Sequence, residues 1–406
     1  MTEPVDAARV PERILIVHNR YRQRGGEDGV FEAEADLLAS RGHTVHRFAV
    51  DNDTIEAATA ARRVRLAAST VWSSAGVRLV ERRLRETRAE LMHVHNTLPL
   101  LSPAVHVAAR RLGVPSVQTL HNYRLSCPAG TFFRDGSPCE DCRGLPVAVP
   151  AVVHACYKDS RQASAAVAAM LAVHRLRGTW TRDVAAFVAL TAFARDRLRD
   201  AGLPAERVWI KPNFLARDPG SSAAPGSGFL YLGRLAPEKG VDVLLDAWRE
   251  LPATVTLTIA GSGPLGPRVE AAVRPGIEHV ELDRDGVYRS IRQAAAVVVP
   301  SLWYEGFPLV VLEAFASGRP VIAARIGSLA EIVEDGVTGF LVPPGDPSAL
   351  AAAVATAAGD PDLVRRMGAA ARATFERHYT ADRNYERLLE IYRAAAIHVS
   401  SADGAA

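Results

Sequence analysis

Short apolar runs alternate with longer helical patterns along this chain, and the alternation occurs twice. The run Arg13–His18 (RILIVH) is followed by a glycine-containing loop and an amphipathic stretch from Glu27 to Ser40. Further apolar runs lie at His43–Val50, Leu91–His95, Ser116–His121 and Ala185–Leu190. Strands that alternate with helices indicate a parallel sheet covered on both faces, so this half is predicted to be a Rossmann-like, doubly wound α/β domain.

The second alternation begins after a segment rich in glycine, serine and proline, Asp218–Gly228 (DPGSSAAPGSG). Its apolar runs lie at Phe229–Leu232, Val255–Ala260, Ile277–Leu282, Ala296–Pro300 and Pro320–Ala323. A chain of 406 residues exceeds what one hydrophobic core usually supports. We therefore predict an N-terminal domain at residues 1–217, a linker at 218–228, a C-terminal domain at 229–379 and a last helix at 380–406 that returns to the first domain.

Composition and charge exclude two classes of protein. Hydrophobic residues make up 48% of the chain, yet no stretch approaches the roughly 18 to 20 apolar residues of a membrane span. A formal charge of +3 is too small for a nucleic-acid-binding protein, so no nucleic-acid partner is expected. The segment Met1–Pro11 carries acids and lacks the order of a secretory signal, so a cytoplasmic location is expected.

The loop Gly233–Gly240 (GRLAPEKG) lies between an apolar strand and a helix predicted to begin at Lys239. Glycines allow a ligand to approach the backbone closely, and a helix start offers unpaired amides. Because Arg234 and Lys239 add two cations, the loop suits a diphosphate. A strand-to-helix turn with solvated charges is the alternative interpretation of this loop taken alone.

Two glutamates lie around the start of another predicted helix, in the segment EGFPLVVLEA. Proline is well tolerated in a first turn, so Pro308–Phe315 is predicted to be helical, with Glu305 before it and Glu313 about one and a half turns inside. Carboxylates accept hydrogen bonds from pairs of hydroxyls, which suits a sugar and a ribose. The backbone at the helix start is placed for phosphate, at Gly306, Phe307, Pro308 and Leu309. For either glutamate taken alone, a helix cap or a surface acid is the better interpretation, and the loop with Arg234 and Lys239 reverses that balance.

All four cysteines, Cys127, Cys139, Cys142 and Cys156, fall within one 30-residue window. In a cytosolic chain such clustering indicates a metal site more than a disulfide framework. Four thiolates in a tetrahedral array suit a structural zinc ion. The alternatives are buried thiols without a metal, a disulfide and an iron–sulfur cluster.

Eight arginines lie between residues 62 and 88, against Glu81 and Glu86. Apolar residues interleaved with the arginines make a basic amphipathic surface. One interpretation is a solvated helix face. The other is attraction to anionic lipid or to a phosphorylated or lipid-linked acceptor, with peripheral contact of 62–88 at the inner face of a membrane.

These motifs together resemble glycosyltransferase family four, the large GT-B group in which two Rossmann-like domains face a cleft. The resemblance covers nearly the whole chain, and a subset of the family shares a cysteine insert after an HN pair, here 125–156. It rests on Gly25–Glu27 (GGE), His121 and Asn122 (HN), Lys211–Asn213 (KPN), Gly233–Gly240, the E-x7-E pair and Ser328–Asp346 (SLAEIVEDGVTGFLVPPGD).

The resemblance implies an enzyme, a retaining glycosyltransferase whose C-terminal domain binds a nucleotide-diphosphate sugar as donor. By position, Gly233, Arg234 and Lys239 would bind the diphosphate. Glu313 would bind the ribose, and Glu305 would engage hydroxyls of the donor sugar.

In the N-terminal domain, the resemblance implies that Gly25 and Gly26 face the diphosphate and that His121 contacts the donor sugar near the reaction centre. Many relatives carry an acid after that histidine, where this chain has Asn122. The cysteine insert would border the acceptor side. The acceptor would be a hydroxyl-bearing glycan, lipid-linked molecule or small natural product.

Retention in this family is understood as attack on one face of the sugar, with the leaving phosphate accepting the acceptor proton. Cations on the diphosphate are then the main catalytic device, and no catalytic divalent metal is expected. The expected catalytic set is His121, Glu305, Arg234 and Lys239. Rival interpretations are a sugar-nucleotide epimerase of the same architecture and a catalytically silent sugar-binding subunit. A nicotinamide enzyme is disfavoured because Ile14–Gly29 contains no G-x-G-x-x-G.

Overall fold

A computed structural model of the chain describes residues 10–21, 25–52, 59–222 and 224–403. The chain forms two compact units. The first holds the residues up to Thr131, Glu140–Pro212 and the residues from Asn384 onward, and the second holds Phe132–Cys139 and Asn213–Arg383. Residues 1–9, on which most of the signal-sequence prediction depends, lie outside the described residues.

A six-stranded parallel sheet forms the centre of the first unit. The strands up to residue 212 are β1 (Arg13–Arg20), β2 (Thr44–Asp51), β3 (Leu91–Val94), β4 (Ser116–Leu120), β5 (Phe133–Arg134), β6 (Ser137–Pro138), β7 (Ala186–Ala189) and β8 (Val208–Ile210). The sheet has the order β2–β1–β3–β4–β7–β8, and all its pairs are parallel. The remaining two, β5 and β6, form an antiparallel hairpin that belongs to the second unit.

Helices cover both faces of this sheet. They are α1 (Gly26–Ser40), α2 (Ala60–Val71), α3 (Ser74–Thr87), α4 (Val105–Arg111), α5 (Val149–Val153), α6 (Arg161–Arg177), α7 (Thr179–Arg182) and α8 (Ala192–Leu198). Because successive strand residues point to opposite faces, Ile14 and Ile16 pack in one core with Phe31 of α1. Leu15 packs in the other core with Val80 of α3.

The second unit repeats the architecture. Its strands are β9 (Phe229–Leu232), β10 (Leu257–Ala260), β11 (Ile277–Val280), β12 (Ala296–Val299), β13 (Val321–Ala324) and β14 (Gly339–Val342). The order is β11–β10–β9–β12–β13–β14, again all parallel. Its helices are α9 (Val241–Arg249), α10 (Gly266–Glu270), α11 (Arg284–Gln293), α12 (Leu309–Ala316), α13 (Leu329–Ile332), α14 (Pro347–Gly359) and α15 (Pro361–His378). The predicted fold class, two doubly wound α/β domains, is confirmed.

The last helix, α16 (Ala381–Asp403), contributes to the core of the first unit from Asn384 onward. Leu388, Ile391 and Tyr392 are fully buried beside Ile14 of β1. None of the helices in the described part of the chain combines the length and apolar character that a membrane crossing needs.

Two predicted helix starts are wrong by one or two residues. The helix expected from Lys239 begins at Val241, because a 3-10 turn, Pro237–Lys239, and a left-handed Gly240 intervene. The helix expected from Pro308 begins at Leu309, since Pro308 is extended and acts as the N-cap. Strands β8 and β14 are not predicted from the sequence.

The segment predicted as the linker lies against the second unit. The amide of Ser222 donates to the carbonyl of Ser317, and that of Ser227 donates to the carbonyl of Gln293. Gly226 packs so tightly that a Cβ atom there would lie 1.9 Å from the carbonyl oxygen of Ala294. The change from first to second unit falls between Pro212 and Asn213, and the predicted domain limits stay a prediction.

Candidate functional site

The strand order of the second unit places two loops side by side. From β9 the chain moves outward through β10 and β11 and then returns to β12 on the other side of β9. Ligands of open α/β sheets bind at such a reversal point, beyond the carboxyl ends of the strands. Here the two loops are Gly233–Gly240 after β9 and Pro300–Pro308 after β12, and the amide of Leu302 joins them by donating to the carbonyl of Glu238 at 2.9 Å.

Gly240 sets how closely these loops pack. Its backbone has a φ of +71°, in the left-handed region that side chains disfavour. A Cβ atom there would lie 1.9 Å from the carbonyl oxygen of Pro300. Glycine is therefore required for contact between the loops, whereas the sequence analysis had assigned the glycines to contact with a ligand.

Lys239 and Glu305 meet between the two loops. The ammonium of Lys239 donates to both carboxylate oxygens of Glu305, at 2.8 and 3.0 Å. It also lies 5.1 Å from the ring centroid of Trp303, and the Ser301 hydroxyl donates to Glu305 at 2.7 Å. The carboxylate is 7% exposed and the lysine side chain 24% exposed, so the cation is the member of the pair that a ligand can reach.

Arg234, the second predicted cation, points into solvent. Its side chain is 55% exposed and forms an ion pair with Glu238, four residues along the same loop. Each predicted phosphate ligand therefore already faces a carboxylate. One donor remains available nearby, because the indole N–H of Trp303 is buried and has no hydrogen-bond partner among the described residues.

The segment from Gly306 to Leu309 is positioned by contacts with Ser328 and Tyr379. The Ser328 hydroxyl lies within hydrogen-bond distance of the carbonyls of Glu305 and Gly306, at 2.9 and 3.0 Å. Phe307 is buried and contacts the ring of Tyr379. Pro308 then turns the chain into α12, whose first-turn amides begin at Leu309.

Glu313 lies half-buried on α12, and its charged neighbour Arg284 comes from α11. Burial raises its pKa, and the Arg284 guanidinium opposes that rise. Burial and the Glu313 carboxylate together raise the pKa of Tyr288, one helical turn after Arg284. Neither α11 residue is predicted from the sequence, because nothing in their spacing links them to the E-x7-E pair.

A further missed feature is the loop after β10, Gly261–Gly263. A Cβ atom on Gly261 would lie 1.9 Å from the carbonyl oxygen of Gly233, and one on Gly263 would lie 2.5 Å from that of Leu235. These glycines fix the backbone of the predicted diphosphate loop. The signal was present, since a G-S-G triplet follows an apolar run.

The remaining predicted donor residues, Gly25, Gly26 and His121, lie in the first unit, and the first two begin α1. The amide of Gly25 donates to Asp28 at 2.8 Å, and the other oxygen of that carboxylate accepts from His18 at 2.8 Å. Among the described residues, nothing lies within 4 Å of a Cβ atom placed on Gly25.

His121 follows β4 and is linked to a buried chain of polar side chains. Its Nε2 atom lies 2.9 Å from Nδ1 of His95, whose own Nε2 lies 3.4 Å from Glu34. Glu34 in turn forms a fully buried ion pair with Lys211. Burial alone would raise the pKa of Glu34, but Lys211 and the histidines bring it well below its ordinary value, so Glu34 is ionised.

The chain of contacts determines the state of His121. Burial lowers the pKa of His95, and burial together with His95 lowers that of His121 well below its ordinary value, so both rings are neutral at pH 7. A neutral imidazole carries one proton. If His95 directs its Nε2–H towards the Glu34 carboxylate, its Nδ1 accepts from His121, which leaves Nδ1 of His121 as an acceptor.

Glu34, His93 and His95 have ligand atoms within 4.8 Å of one another, the spacing of a metal site. Their partners argue against that role. Both nitrogens of His93 are engaged, with the Tyr392 hydroxyl at 2.9 Å and with Thr119 at 2.8 Å. Since Lys211 already neutralises Glu34, the cluster needs no further cation and is a buried polar network of the core, in which Oε2 of Glu34 and Nε2 of His95 have no hydrogen-bond partner among the described residues.

Glu27, the last residue of the GGE motif, carries a second perturbed carboxyl group. Burial raises its pKa to about 8, against the opposing effect of the Arg124 guanidinium, and Tyr21 and Asn122 hydrogen-bond to it. A cavity of about 40 Å³ lies beside it in the first unit, lined also by His121. No separate role for Glu27 is predicted from the sequence.

Three of the four cysteines lie in the first unit, and Cys139 closes the hairpin segment of the second. Cys127 is buried and the other three are half-buried. Cys142 and Cys156 pack against one small apolar cluster, formed by Ala148, Ala151 and Ala168. The zinc site stays a prediction.

Two family models match the chain. The one described as Glycosyltransferase Family 4 matches residues 25–218, and the one described as Glycosyl transferases group 1 matches residues 226–360. Together they span both units.

Individual relatives agree with these models. A D-inositol 3-phosphate glycosyltransferase of Streptomyces scabiei is 38% identical over 185 residues, which is 41% of this chain and 41% of the relative. The chain thus spans well under two thirds of that relative's length. A phosphatidyl-myo-inositol mannosyltransferase of Mycobacterium leprae is 29% identical over 73% of this chain and 78% of its own. The Anabaena HepE structure in complex with UDP-glucose matches with a TM-score of 0.63 and 18% identity, over 93% of this chain and 98% of HepE, a likeness of fold.

Proposed function

The chain belongs to glycosyltransferase family four, and on this premise we propose that it is a retaining enzyme that transfers a sugar from a nucleotide-diphosphate sugar to a hydroxyl group. The observation that carries the proposal is the Lys239–Glu305 pair at the reversal point of the second sheet. A cation held in place by a buried carboxylate, beside the start of a helix, suits an anion that must be bound and then stabilised as it leaves.

The donor would bind to the second unit in three parts. Arg234 and Lys239 would bind the diphosphate, Glu313 the ribose and Glu305 the hydroxyls of the sugar. The partial exposure of Lys239 and the unpaired indole N–H of Trp303 support the first part. HepE was crystallised with UDP-glucose, so uridine is the first base to test.

In the reaction, the bond between the anomeric carbon and the diphosphate oxygen breaks while the acceptor oxygen bonds to the same face of that carbon. The acceptor proton passes to the leaving phosphate. Charge therefore develops on the diphosphate, where Lys239 and Arg234 stabilise it without a divalent metal. His121 is neutral, so it would serve as a hydrogen-bond partner of the sugar and not as a cation.

The acceptor would be a glycan, a lipid-linked molecule or a small natural product. The names of the two relatives, which contain an inositol phosphate and a phosphatidyl-inositol, support a polyol with a phosphate or lipid attached. The cysteines would bind one structural zinc ion and order the 125–156 insert.

A thermal-shift screen against a panel of nucleotide sugars tests the donor assignment. The correct donor at 100 times its dissociation constant should stabilise the protein by roughly 2.7 kcal/mol. The shift should vanish in Lys239→Ala and persist in Arg249→Ala, an exposed arginine of α9 paired with Asp246. Activity should also survive removal of magnesium and manganese. A strict requirement for either ion would contradict the mechanism.

A further inference from the structure

Two segments of the first unit are rich in cations and almost without acids. Residues 59–72 and 144–182 contain one carboxylate, Asp159. The chain as a whole has 45 acidic residues in 406, so about six would be expected in segments of this length. The cations are Arg62, Arg63, Arg65, Lys158, Arg161, Arg175, Arg177 and Arg182.

The fold brings the two segments together. Helix α6 packs against both α2 and α5. Nε2 of His174 on α6 lies 2.9 Å from the carbonyl of Val71 at the end of α2, and the Arg177 guanidinium lies over the Trp72 ring. On its other side, Arg175 donates to the carbonyl of Leu145 at 2.6 Å. We call this surface of α2, α5, α6 and the 144–148 loop the basic face.

The basic face also exposes apolar side chains. Seven of the ten large apolar residues that stand out as exposed in the described part of the chain belong to it: Val64, Leu145, Val147, Val149, Val153, Val173 and Leu176. Leu176 is 88% exposed and Val64 70% exposed. Such a concentration on one surface marks an interaction site.

Three of the cations beside them lack carboxylate partners. Among the described residues, no carboxylate oxygen lies within the 4.0 Å of an ion pair from Arg63, Arg65 or Arg161, whereas Arg177 and Arg182 lie near the Asp183 carboxylate. Helix α3 differs in carrying two acids of its own, since Arg83 pairs with Glu86 and Arg85 with Glu81. Helix α2 carries no acid, so the two helices of the arginine-rich stretch differ in charge balance.

We propose that the basic face binds the surface of an anionic lipid bilayer, with its apolar tips in the interface and its arginines on lipid phosphates. Exposed apolar groups flanked by unpaired cations match a surface that is apolar inside and negative outside. A second copy of this chain fits poorly, since a symmetric interface would bring each set of cations against its twin. The proposal does not depend on the transferase reaction.

Sedimentation of the full-length protein with vesicles tests the proposal. The protein should bind vesicles with about one third phosphatidylglycerol and leave phosphatidylcholine vesicles largely unbound, and added salt should weaken the binding. The double variant Arg63→Glu/Arg65→Glu should lower the partition coefficient at least tenfold. Leu176→Asp should lower it too, at every salt concentration.

Arg366→Glu/Arg377→Glu is the matched control. It makes the same change of charge at two exposed arginines of α15, in the second unit. This control should bind vesicles as the unchanged protein does. Equal binding by the control and the Arg63→Glu/Arg65→Glu variant would overturn the proposal. So would equal binding to both kinds of vesicle, or dimerisation through this face without vesicle binding.

Discussion

At the scale of single residues, the two predicted phosphate ligands are held differently. Lys239 is fixed by two hydrogen bonds to a buried carboxylate, while Arg234 is mostly exposed and pairs with a neighbour on its own loop. An ordered cation needs no reorganisation when charge develops on the leaving group. Lys239 should therefore be the more important of the two.

Replacement of Lys239 by alanine should lower kcat by about 10²-fold or more, because it removes a cation from the leaving diphosphate. Arg234→Ala should also lower kcat. Steady-state kinetics with the identified donor measure the effect, and circular dichroism checks the fold. The kcat of the Arg249→Ala control should stay near that of the unchanged protein. Near-normal turnover in Lys239→Ala would contradict the donor assignment.

Glu27 should make the free energy of unfolding depend on pH. Burial raises its pKa from 4.5 to about 8. Between these values the folded protein keeps a proton that the unfolded chain has lost, so stability falls as pH rises. The contribution of Glu27 is fully present below pH 4.5 and is lost as pH rises through about 8.

Urea unfolding near both ends of that pH window measures this effect. Glu27→Gln, which cannot ionise, should lose less stability between the two than the unchanged protein does. Asp36→Asn is a suitable control on the same helix, because Asp36 is exposed. Equal losses in the Glu27→Gln variant and the unchanged protein would show that Glu27 titrates normally.

At the scale of elements, the alternation of apolar runs was enough to predict ten of the strands in the two parallel sheets. The pattern failed at β8, which has only three residues, all half-buried, and at β14, which begins with Gly339 and lies between segments rich in turn residues. Helix starts were displaced where Gly240 and Pro308 impose a local geometry that periodicity does not contain.

The polar network behind His121 could not be predicted. Glu34 lies on the helical face of α1 that is fully buried, where the sequence pattern leads one to expect an apolar residue. Its partner Lys211 is 177 residues away, so no local spacing links them. The one feature of this network that the sequence shows is the pair His93 and His95, two residues apart at the end of a predicted strand.

The four cysteines of the 125–156 insert are predicted to bind one zinc ion. If they bind zinc, the purified protein should contain about one equivalent, with Zn–S distances near 2.3 Å. Cys142→Ser should release the metal and impair use of the acceptor more than binding of the nucleotide. Metal analysis and separate KM values for the two substrates measure this.

Ser137→Ala, in the exposed hairpin between Cys127 and Cys139, is the matched control and should keep both metal and activity. Protein that contains no zinc and is fully active would show that the cysteines have another role. Cys142 packs beneath the basic face, so metal release should also weaken binding to vesicles.

At the scale of the whole molecule, the first unit depends on both ends of the chain. Leu388 and Tyr392 of α16 pack against strands formed by the first hundred residues. The Tyr392 hydroxyl lies 2.9 Å from His93, across 299 residues of sequence. The core of the first unit is therefore incomplete until the chain has passed through the second.

Leu388→Ala should accordingly destabilise the first unit by about 2–5 kcal/mol, because it leaves a cavity in a fully buried site. Tyr392→Phe should cost about 1 kcal/mol, since it removes one hydrogen bond to a buried ring. Arg393→Ala, exposed on the same helix, should have almost no effect. Hydrogen exchange resolves where stability is lost: amides of β1 and β3 should exchange faster in Leu388→Ala, while those of β9 and β12 keep their rates. Equally faster exchange in both sheets would mean that the two units unfold together. Unchanged exchange rates in β1 and β3 would show that α16 does not stabilise the core of the first unit.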